Sequence, residues 1–387
     1  MMPTRALPDV AVVGGGIVGT AAAAFLAAEG ARVTLYEREG LAAGASGRNS
    51  GVVQRPFDPG LVELFEETVA LYRRLEAEEV GFRLPTEPAG LLLLSRQVPF
   101  IQRLAASLGA AFPELAPEVV EGGALRALEP GLAADLTACR VPIGYPVPPA
   151  GATYAYATLA ERLGVRLRLG REAAPAVEGG RTVGVRVDSR LEPAGVVLIA
   201  AGPWTAALVD PTGRWQPIRP LWGVVVETLL ASPPRHVLEE AEMDEALGTG
   251  DVVAAAGIEH EDPATTPSFS LVPAADVSAV GSTFLDTEPD LAVWQIRILE
   301  RASRFVPGVA EAPIRGVRAC ARPASVDGLP LLGPLPGTDG LFVAAGHGPW
   351  GISTGPGSAR LVVDAILGRP RTIPPDLAAA RFGPAPG

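Results

Sequence analysis

The sequence predicts an α/β fold that begins with a parallel sheet covered by helices, and three features of its N-terminal stretch predict it. Asp9–Val13 is a short apolar run rich in Val, as expected of a strand buried on both faces. A glycine cluster and an Ala-rich helical segment follow, and a second strand, Arg32–Tyr36, comes next. This strand–helix–strand unit is long enough for a right-handed crossover.

Three glycines at the start of this helix have the G-x-G-x-x-G spacing of a dinucleotide-binding turn. Gly14 allows the tight turn, Gly16 leaves room for a pyrophosphate against the backbone, and Gly19 lets the helix pack on the strand. The helix N-terminus offers N–H groups and a partial positive charge to phosphates. Glu37 ends the second strand, where a carboxylate accepts hydrogen bonds from ribose hydroxyls and disfavours a 2′-phosphate. The motif therefore predicts a dinucleotide other than NADP, and NAD and FAD both stay open.

Composition sets the broad class of the protein. The chain has 387 residues, of which 48% are hydrophobic, so we expect two or three domains with a sizeable core. We expect no transmembrane segment and a cytoplasmic location, because no apolar run approaches about 20 residues and the N-terminus lacks a signal-like apolar region. The net charge of -11 argues against a nucleic-acid partner.

The residue types also exclude some chemistry. All 32 basic residues are Arg, so Schiff-base chemistry on a lysine is excluded. The two cysteines, Cys139 and Cys320, suit a reduced compartment better than a disulfide scaffold. The three histidines, His236, His260 and His347, lack metal-ligand spacing, so we expect no metal site.

Further along the chain, the segments alternate between two domains. The loop 40–54 is rich in small and hydrogen-bonding residues and is predicted to clamp the ligand through Ser46, Arg48 and Asn49. An amphipathic helix is predicted over 61–79. Residues 85–148 are predicted to be an inserted piece of a second domain. The segment 196–204, VVLIAAGPW, is a second buried run that ends in small residues, so the dinucleotide domain is predicted to resume there.

The C-terminal part of the chain contains a second glycine turn. A strand is predicted at Gly340–Ala345, a turn at Gly346–Gly348, and a helix from near Gly351. NAD needs only one helix N-terminus, whereas a longer cofactor with a redox ring at its far end would use two. A positive helix end near a flavin would stabilise the anionic reduced ring.

These motifs together resemble the D-amino-acid oxidase-like flavoproteins, the family that includes glycine oxidase, sarcosine oxidase and D-amino-acid dehydrogenases. The resemblance covers VVGGGIVG with Glu37, the ASGRNSG loop, VVLIAAGPW, and RPASVDGLPLLGP with GLFVAAGHGPWGIS. It implies FAD, a Rossmann-type FAD-binding domain, and a smaller α+β substrate domain on an antiparallel or mixed sheet. We assign residues 1–84, 149–215 and 318–387 to the FAD-binding domain. Residues 85–148 and 216–317 form the predicted substrate domain.

The motifs and the resemblance predict which residues bind the cofactor, with Val177 expected near the adenine. The predicted cofactor-binding residues are Gly14, Gly16, Ile17, Val18, Gly19, Glu37, Arg38, Ser46, Arg48, Asn49, Ser50, Gly51, Val177, Gly202, Gly346, His347, Gly348, Gly351, Ile352 and Ser353. Cys320 has a spacing from Arg322 that resembles the flavin-linking cysteine of sarcosine oxidases. A thioether link at Cys320 and a buried free thiol are both open.

The resemblance also implies a substrate site. Arg322 stands where glycine-oxidase-like members hold the substrate carboxylate, a role that suits a permanently charged, bidentate guanidinium. Ser270 replaces a substrate-facing Tyr, Pro349 replaces a second Arg, and Ser353 replaces the lysine of sarcosine oxidases. Neither glycine nor sarcosine specificity can therefore be carried over. The aromatic candidates for lining a larger pocket are Trp222, Phe269, Phe284 and Trp350.

The activity that the resemblance implies is FAD-dependent oxidation of an amino acid or N-substituted amino acid. A hydride passes from Cα to flavin N5, and the resulting imine hydrolyses. The expected partners are a small amino-acid-like substrate and an electron acceptor, either oxygen or a dye or quinone. Two alternatives stay open, a 2-hydroxy-acid dehydrogenase and a non-catalytic FAD-binding subunit of a larger complex.

Overall fold

The computed structural model describes residues 8–242, 262, 265–274 and 277–385, so His260 and parts of the predicted domains lie outside the described residues. The strands are β1 (Asp9–Val13), β2 (Arg32–Glu37), β3 (Val52–Val53), β4 (Leu91–Ser95), β5 (Glu118–Glu121), β6 (Thr137–Val141), β7 (Tyr145–Pro146), β8 (Arg166–Leu169), β9 (Ala173–Glu178), β10 (Arg181–Val187), β11 (Arg190–Pro193), β12 (Val196–Ile199), β13 (Ile218–Thr228), β14 (Val237–Glu240), β15 (Ser270–Val272), β16 (Ser278–Gly281), β17 (Ile314–Ser325), β18 (Leu331–Pro334) and β19 (Leu341–Ala345). The helices are α1 (Ile17–Ala28), α2 (Ala45–Arg48), α3 (Pro59–Ala77), α4 (Val98–Ala111), α5 (Gly122–Leu128), α6 (Gly151–Arg162), α7 (Thr205–Val209), α8 (Leu291–Ser303) and α9 (Gly351–Ile366).

The first sheet is six-stranded, in the order β18-β19-β12-β1-β2-β8. All neighbouring pairs are parallel except β18 with β19. Helix α1 packs against α6 and α9, and α9 packs against α3. The predicted α/β fold with a Rossmann-type first sheet is confirmed.

Close backbone approach at the first turn explains the glycines of the N-terminal motif. Gly14 has a φ of +119°, a conformation that an L side chain rarely adopts. A Cβ atom at Gly19 would collide with the carbonyl oxygen of Gly14, so the helix packs this closely on the turn only because Gly19 has no side chain. The sequence interpretation of these two glycines agrees with this geometry.

The second sheet is eight-stranded, in the order β17-β13-β16-β15-β14-β4-β6-β5, and it is mixed because β14 and β4 are parallel. Its two faces carry different cores: α8 packs with the core on one face, and α4 with the core on the other. The predicted boundary between 317 and 318 falls inside β17, which pairs with β13 along its length. The domain ranges themselves stay a prediction.

Three antiparallel strands, β11-β10-β9, form a small separate sheet, and β3 pairs with β7. Within the described ranges, every helix is too short or too polar to cross a bilayer.

The crossing of α3 and α9 gives a test of the packing. A Cβ atom at Gly357 of α9 would meet the backbone of Leu64 in α3, and the Gly357 N–H donates to Thr68 Oγ1 at 2.9 Å. Gly357→Ala should therefore lower the free energy of unfolding by about 1–3 kcal/mol, because the helices must move apart. Urea denaturation measures it.

The control for this change is Gly123→Ala in α5, where a Cβ atom would meet no other atom within 4 Å. This variant should keep or raise the stability, by up to about 1 kcal/mol. Equal stability of the two variants would contradict the close crossing.

Candidate active site

The turns after three neighbouring parallel strands meet at one edge of the first sheet. The strands β1, β12 and β19 are adjacent, so their carboxyl ends lie side by side. A cavity of about 410 Å³ opens there, lined by Gly14 and Gly16, by Gly202, and by His347 and Gly348. One face of the second sheet closes its other side, through residues that include Arg322 and Ser270. The N-terminal and C-terminal glycine turns therefore share one cavity.

Glu37 closes one end of this cavity and is held by the first turn. Its carboxylate accepts hydrogen bonds from the N–H groups of Gly15 at 2.7 Å and Glu39 at 2.8 Å. Next to it, the Arg38 guanidinium lies 4.2 Å from the ring centre of Trp204, which comes from the turn after β12. This end of the cavity has the acidic group that the sequence predicts for ribose binding.

The loop around α2 is shaped by its own side chains. Ser46 Oγ accepts from the N–H of Ile17 at 3.0 Å, so it partners the first turn of α1. Asn49 Oδ1 accepts from the N–H of Gly51 at 2.8 Å, and Asn49 Nδ2 donates to two carbonyls of the same loop, those of Ala45 and Ser46. Both side chains line the cavity while they fix the loop.

Arg318 of β17 ties this loop to the second sheet. Its Nε donates to the carbonyl of Arg48 at 3.1 Å, and its Nη2 donates to the carbonyl of Asn49 at 2.8 Å. The same guanidinium makes an ion pair with Glu227 on the neighbouring strand β13. Arg48 in turn donates to the carbonyl of Ala319 at 3.4 Å. These contacts fix the position of the loop relative to the sheet that carries Arg322.

The N-terminus of α9 points its first residues into the cavity. Gly351, Ile352 and Ser353 line it, and the first N–H groups of a helix have no partner within the helix. The Ile352 carbonyl accepts from the buried Tyr72 hydroxyl at 2.7 Å, and Ser353 Oγ accepts from the N–H of Gln54 at 2.9 Å. These bonds hold the helix end, which provides a partial positive charge at this point of the cavity.

His347 is buried just before this helix, and its ring stays neutral. Its side chain is 3% exposed, and Nε2 has no hydrogen-bond partner among the described residues. Burial lowers the pKa of His347 to about 4, because a charged imidazolium loses its hydration there. Because His347 lines the cavity, a buried polar atom without a partner here fits a ligand that supplies the partner.

Arg322 is held in place over β13 by contacts on several sides. Nη1 donates to the carbonyl of Thr283 at 2.7 Å, and Nη2 donates to Ser282 Oγ at 2.8 Å. The guanidinium carbon also lies 4.6 Å from the ring centre of Phe284. Any Cβ atom at Gly223 would collide with the guanidinium, so this glycine allows the side chain to lie across the strand.

Alternation along the strands decides which side chains reach the cavity. On β17, Cys320 and Arg322 face it, two residues apart. Trp222 pairs with Ala321 on the neighbouring strand and packs against the core on the opposite face. Trp222 therefore does not line the cavity, and we leave it out of the site. Phe269 is likewise in the opposite core, stacked on Phe305.

Cys320 is a buried thiol at the cavity wall. Its side chain is 5% exposed, and burial raises its pKa, while the nearby guanidinium of Arg322 acts in the lowering direction. A covalent link from Cys320 to the cofactor stays a prediction.

Most of the predicted cofactor residues are brought together. The cavity is lined by Gly14, Gly16, Ile17, Val18, Glu37, Arg38, Ser46, Asn49, Ser50, Gly51, Gly202, His347, Gly348, Gly351, Ile352 and Ser353, and also by Trp350. Gly19 and Gly346 shape the turns without lining the cavity, and Arg48 reaches β17 instead. Val177 lies too far along β9, where it is exposed. Ala173, at the start of the same strand, takes the cavity position.

Other cavity residues were missed by the sequence analysis. Glu239 on β14 and Gln54 after β3 both line the cavity and are buried. Ser282, which holds Arg322, also lines it. Charged residues are mostly solvent-exposed, so the sequence alone gives no reason to place Glu239 in a buried site. The pairing of β14 with β15 and β4 turns its side chain inward.

Comparison with known proteins decides the family. A family model described as "FAD dependent oxidoreductase", named DAO, matches residues 9–365. The chain belongs to this family. It is 29% identical to a glycine oxidase from Pseudomonas aeruginosa, over 95% of this chain and 96% of that protein.

Solved structures of other DAO proteins have the same fold. Glycine oxidase from Geobacillus kaustophilus superposes with a TM-score of 0.80 at 24% identity, covering 97% of this chain and 98% of that one. Iminodiacetate oxidase from Chelativorans sp. BNC1 gives a TM-score of 0.78 at 22% identity, covering 96% and 98%. The predicted resemblance is confirmed, and the protein is an FAD-dependent oxidoreductase.

The residues at the cavity fit FAD. A Cβ atom at Gly16 would approach Ser46 Oγ to 3.0 Å and fill the space beside the first turn, so the glycine keeps that space open. Glu37 at one end suits the ribose of the adenylate, and the helix end at Gly351 suits the flavin end. The unpartnered Nε2 of His347 offers one more hydrogen-bonding atom to the cofactor.

The burial of His347 predicts a pH dependence of stability. Between about pH 6.5 and pH 4 the unfolded chain binds a proton on this residue and the native chain does not, so stability falls as the pH is lowered through that window. In the apoprotein, the free energy of unfolding should therefore fall as the pH drops across this window, and His347→Asn should make that fall smaller by up to about 3 kcal/mol. Urea unfolding of both proteins at several pH values from 4 to 8 measures the difference.

Glu239 acts with the opposite sign, because burial raises its pKa to about 7 and stability falls as the pH rises from about 4.5. Its contribution is the same in both proteins and cancels in the comparison. Parallel stability curves for the two proteins would show that His347 is not buried as a neutral group.

Proposed function

We propose that the protein oxidises an amino acid or N-substituted amino acid at Cα and passes the electrons to FAD. The observation that carries this proposal is the position of Arg322, fixed at the wall of the cavity that both glycine turns share. A guanidinium that is already held by neighbouring groups loses little side-chain conformational entropy when it binds a carboxylate. Similarity to glycine oxidase from P. aeruginosa and to iminodiacetate oxidase supports the same substrate class.

The chain's own residues bind and orient the substrate. Arg322 receives the carboxylate, and its contacts with Ser282, Thr283 and Phe284 fix where that carboxylate lies. The apolar side chains of Phe284 and Val225 line the same part of the cavity and keep water out. When bound, FAD supplies the two-electron acceptor for the Cα–H bond. The product imine hydrolyses in water, so no protein acid or base is needed for that step.

The electron acceptor is oxygen or a dye or quinone, and the measurement of hydrogen peroxide during turnover decides between them. A 2-hydroxy-acid substrate is the second candidate, since Arg322 would bind its carboxylate equally well. Matched pairs of amino acids and 2-hydroxy acids, tested for anaerobic reduction of the flavin, separate the two. A flavin that no small substrate reduces would contradict both and favour a non-catalytic subunit.

Arg322→Leu tests the carboxylate assignment. Loss of a charged hydrogen-bonding partner should lower kcat/KM for carboxylate substrates by about 10- to 150-fold. Steady-state kinetics with a panel of D- and L-amino acids, sarcosine and proline measures it, and flavin content should stay unchanged.

The matched control is Arg315→Leu, an exposed arginine on the same strand. It should have the kinetics of the unaltered protein. If Arg322→Leu also keeps its kcat/KM on a substrate that reduces the flavin, the carboxylate is bound elsewhere.

A further inference from the structure

The second sheet contributes a second charged side chain to the cavity wall besides Arg322, and the reaction proposed above does not use it. Glu239 is 8% exposed and lines the cavity from β14. Alternation along the strand separates it from its neighbour Glu240, which makes an ion pair with Arg301 on the other face of the sheet. Glu239 is therefore turned toward the cavity by the same pairing that buries it.

Few protein groups offset the cost of burying the Glu239 carboxylate. Its two carboxylate oxygens each accept from Gln54 Nε2 at 3.3 Å, and it makes no ion pair with any arginine or histidine in the described part of the chain. Gln54 is itself buried, and its Oε1 has no partner among the described residues. A buried carboxylate is costly unless a donor or a cation meets it. Burial accordingly raises the pKa of Glu239 to about 7, against the lowering effect of the Gln54 hydrogen bond.

The acceptor pair Glu239 and Gln54 lies on the same wall as Arg322, at a defined spacing. Glu239 is paired with Ser270 on β15, and Ser270 is paired with Gly281 on β16. The next residue, Ser282, holds the Arg322 guanidinium. The Arg322 guanidinium itself lies over Gly223 of β13, the strand beyond β16, so the two charged groups are about three strand spacings apart, on the order of 14 Å.

The residues between the two groups are small. A Cβ atom at Gly281 would lie only 3.2 Å from the Ser270 hydroxyl oxygen, and neither residue has a side chain that divides the cavity. Open space therefore connects the cationic Arg322, which suits an anion, to Glu239 and Gln54, which offer hydrogen-bond acceptors. A ligand that matches both has a carboxylate at one end and a cationic N–H donor several bonds away.

We propose that Glu239 and Gln54 form a subsite for a cationic side chain, so that the preferred substrate is a basic amino acid with an ammonium or guanidinium group. This inference rests on the proposed function, because it extends the same site. The α-amine of a substrate held at Arg322 is too close to its own carboxylate to span about 14 Å less two contact distances. An ammonium three or four methylenes from Cα spans it.

The first test uses ligands that lack an α-amine. The FAD-loaded protein is titrated anaerobically with 5-aminopentanoate and with pentanoate, and the change in the visible flavin spectrum gives each Kd. The cationic ligand should bind at least about tenfold more tightly. In the series from 3-aminopropanoate to 6-aminohexanoate, the tightest binder should be one of the longer members. Tightest binding of 3-aminopropanoate would place Glu239 at the α-amine and overturn the proposal.

The second test uses Glu239→Gln, which keeps the size and removes the charge. It should weaken 5-aminopentanoate by at least about 30-fold and leave pentanoate unchanged, since truncating one partner of a buried charge pair is costly. The same variant should lower kcat/KM for lysine or ornithine and spare norleucine or norvaline. The matched control, Glu121→Gln on the exposed end of β5, should change neither.

The outcomes separate this inference from the proposed function. One outcome is that norleucine reduces the flavin as well as lysine does and that Glu239→Gln affects both substrates equally. That result would overturn the subsite for a basic side chain and leave amino acid oxidation standing. If 5-aminopentanoate binds through Glu239 but no amino acid reduces the flavin, the subsite stands and the proposed reaction fails. Loss of FAD from Glu239→Gln would show that Glu239 holds the cofactor, and would overturn the inference.

Discussion

The parallel pairing of β1, β12 and β19 is the constraint on which the site depends. These strands come from the beginning, the middle and the end of the chain, and they lie next to one another in one sheet. Because parallel strands end at the same edge, the glycine turns that follow β1 and β19 are brought to one cavity. Loss of this pairing would separate the dinucleotide turn from the helix end at Gly351.

The second sheet supplies the wall of the cavity that carries the proposed substrate-binding groups. Its cavity-facing side carries Arg322 and Cys320 from β17 and Glu239 from β14, while Ala319 of β17 and Leu238 of β14 pack with the apolar core on the far side. The period of two along each strand therefore decides which side chains reach the cavity. Arg318 then links this sheet to the loop around α2, so that the proposed substrate groups and the predicted cofactor groups are fixed relative to each other.

Sequence reasoning could predict the parts of the site that depend on local motifs. The first glycine turn, Glu37, the 347–353 turn and most of the 46–51 loop line the cavity as their motifs predict. Gly14, Gly51 and Gly348 have positive φ values, which favour glycine, so the sequence marks these turns locally. Arg322 is predicted through the family resemblance, and it lines the cavity, while its role as the carboxylate-binding group stays a prediction. Val177 and Trp222 were misplaced, since strand phase and exact position along a strand come from pairing partners far away in the sequence. Glu239 and Gly223 were missed for the same reason, because neither belongs to a local pattern.

The turn after β1 and the turn after β19 together form the proposed site for one extended flavin dinucleotide, and equilibrium titration of the apoprotein with FAD and with FMN is the sharpest test of that arrangement. The structure predicts one FAD per chain. It predicts FMN at least about tenfold weaker, because FMN lacks the adenylate half that reaches Glu37 and the first turn. Equal binding of FMN and FAD, or no flavin bound at all, would contradict a cofactor site made from both ends of the chain.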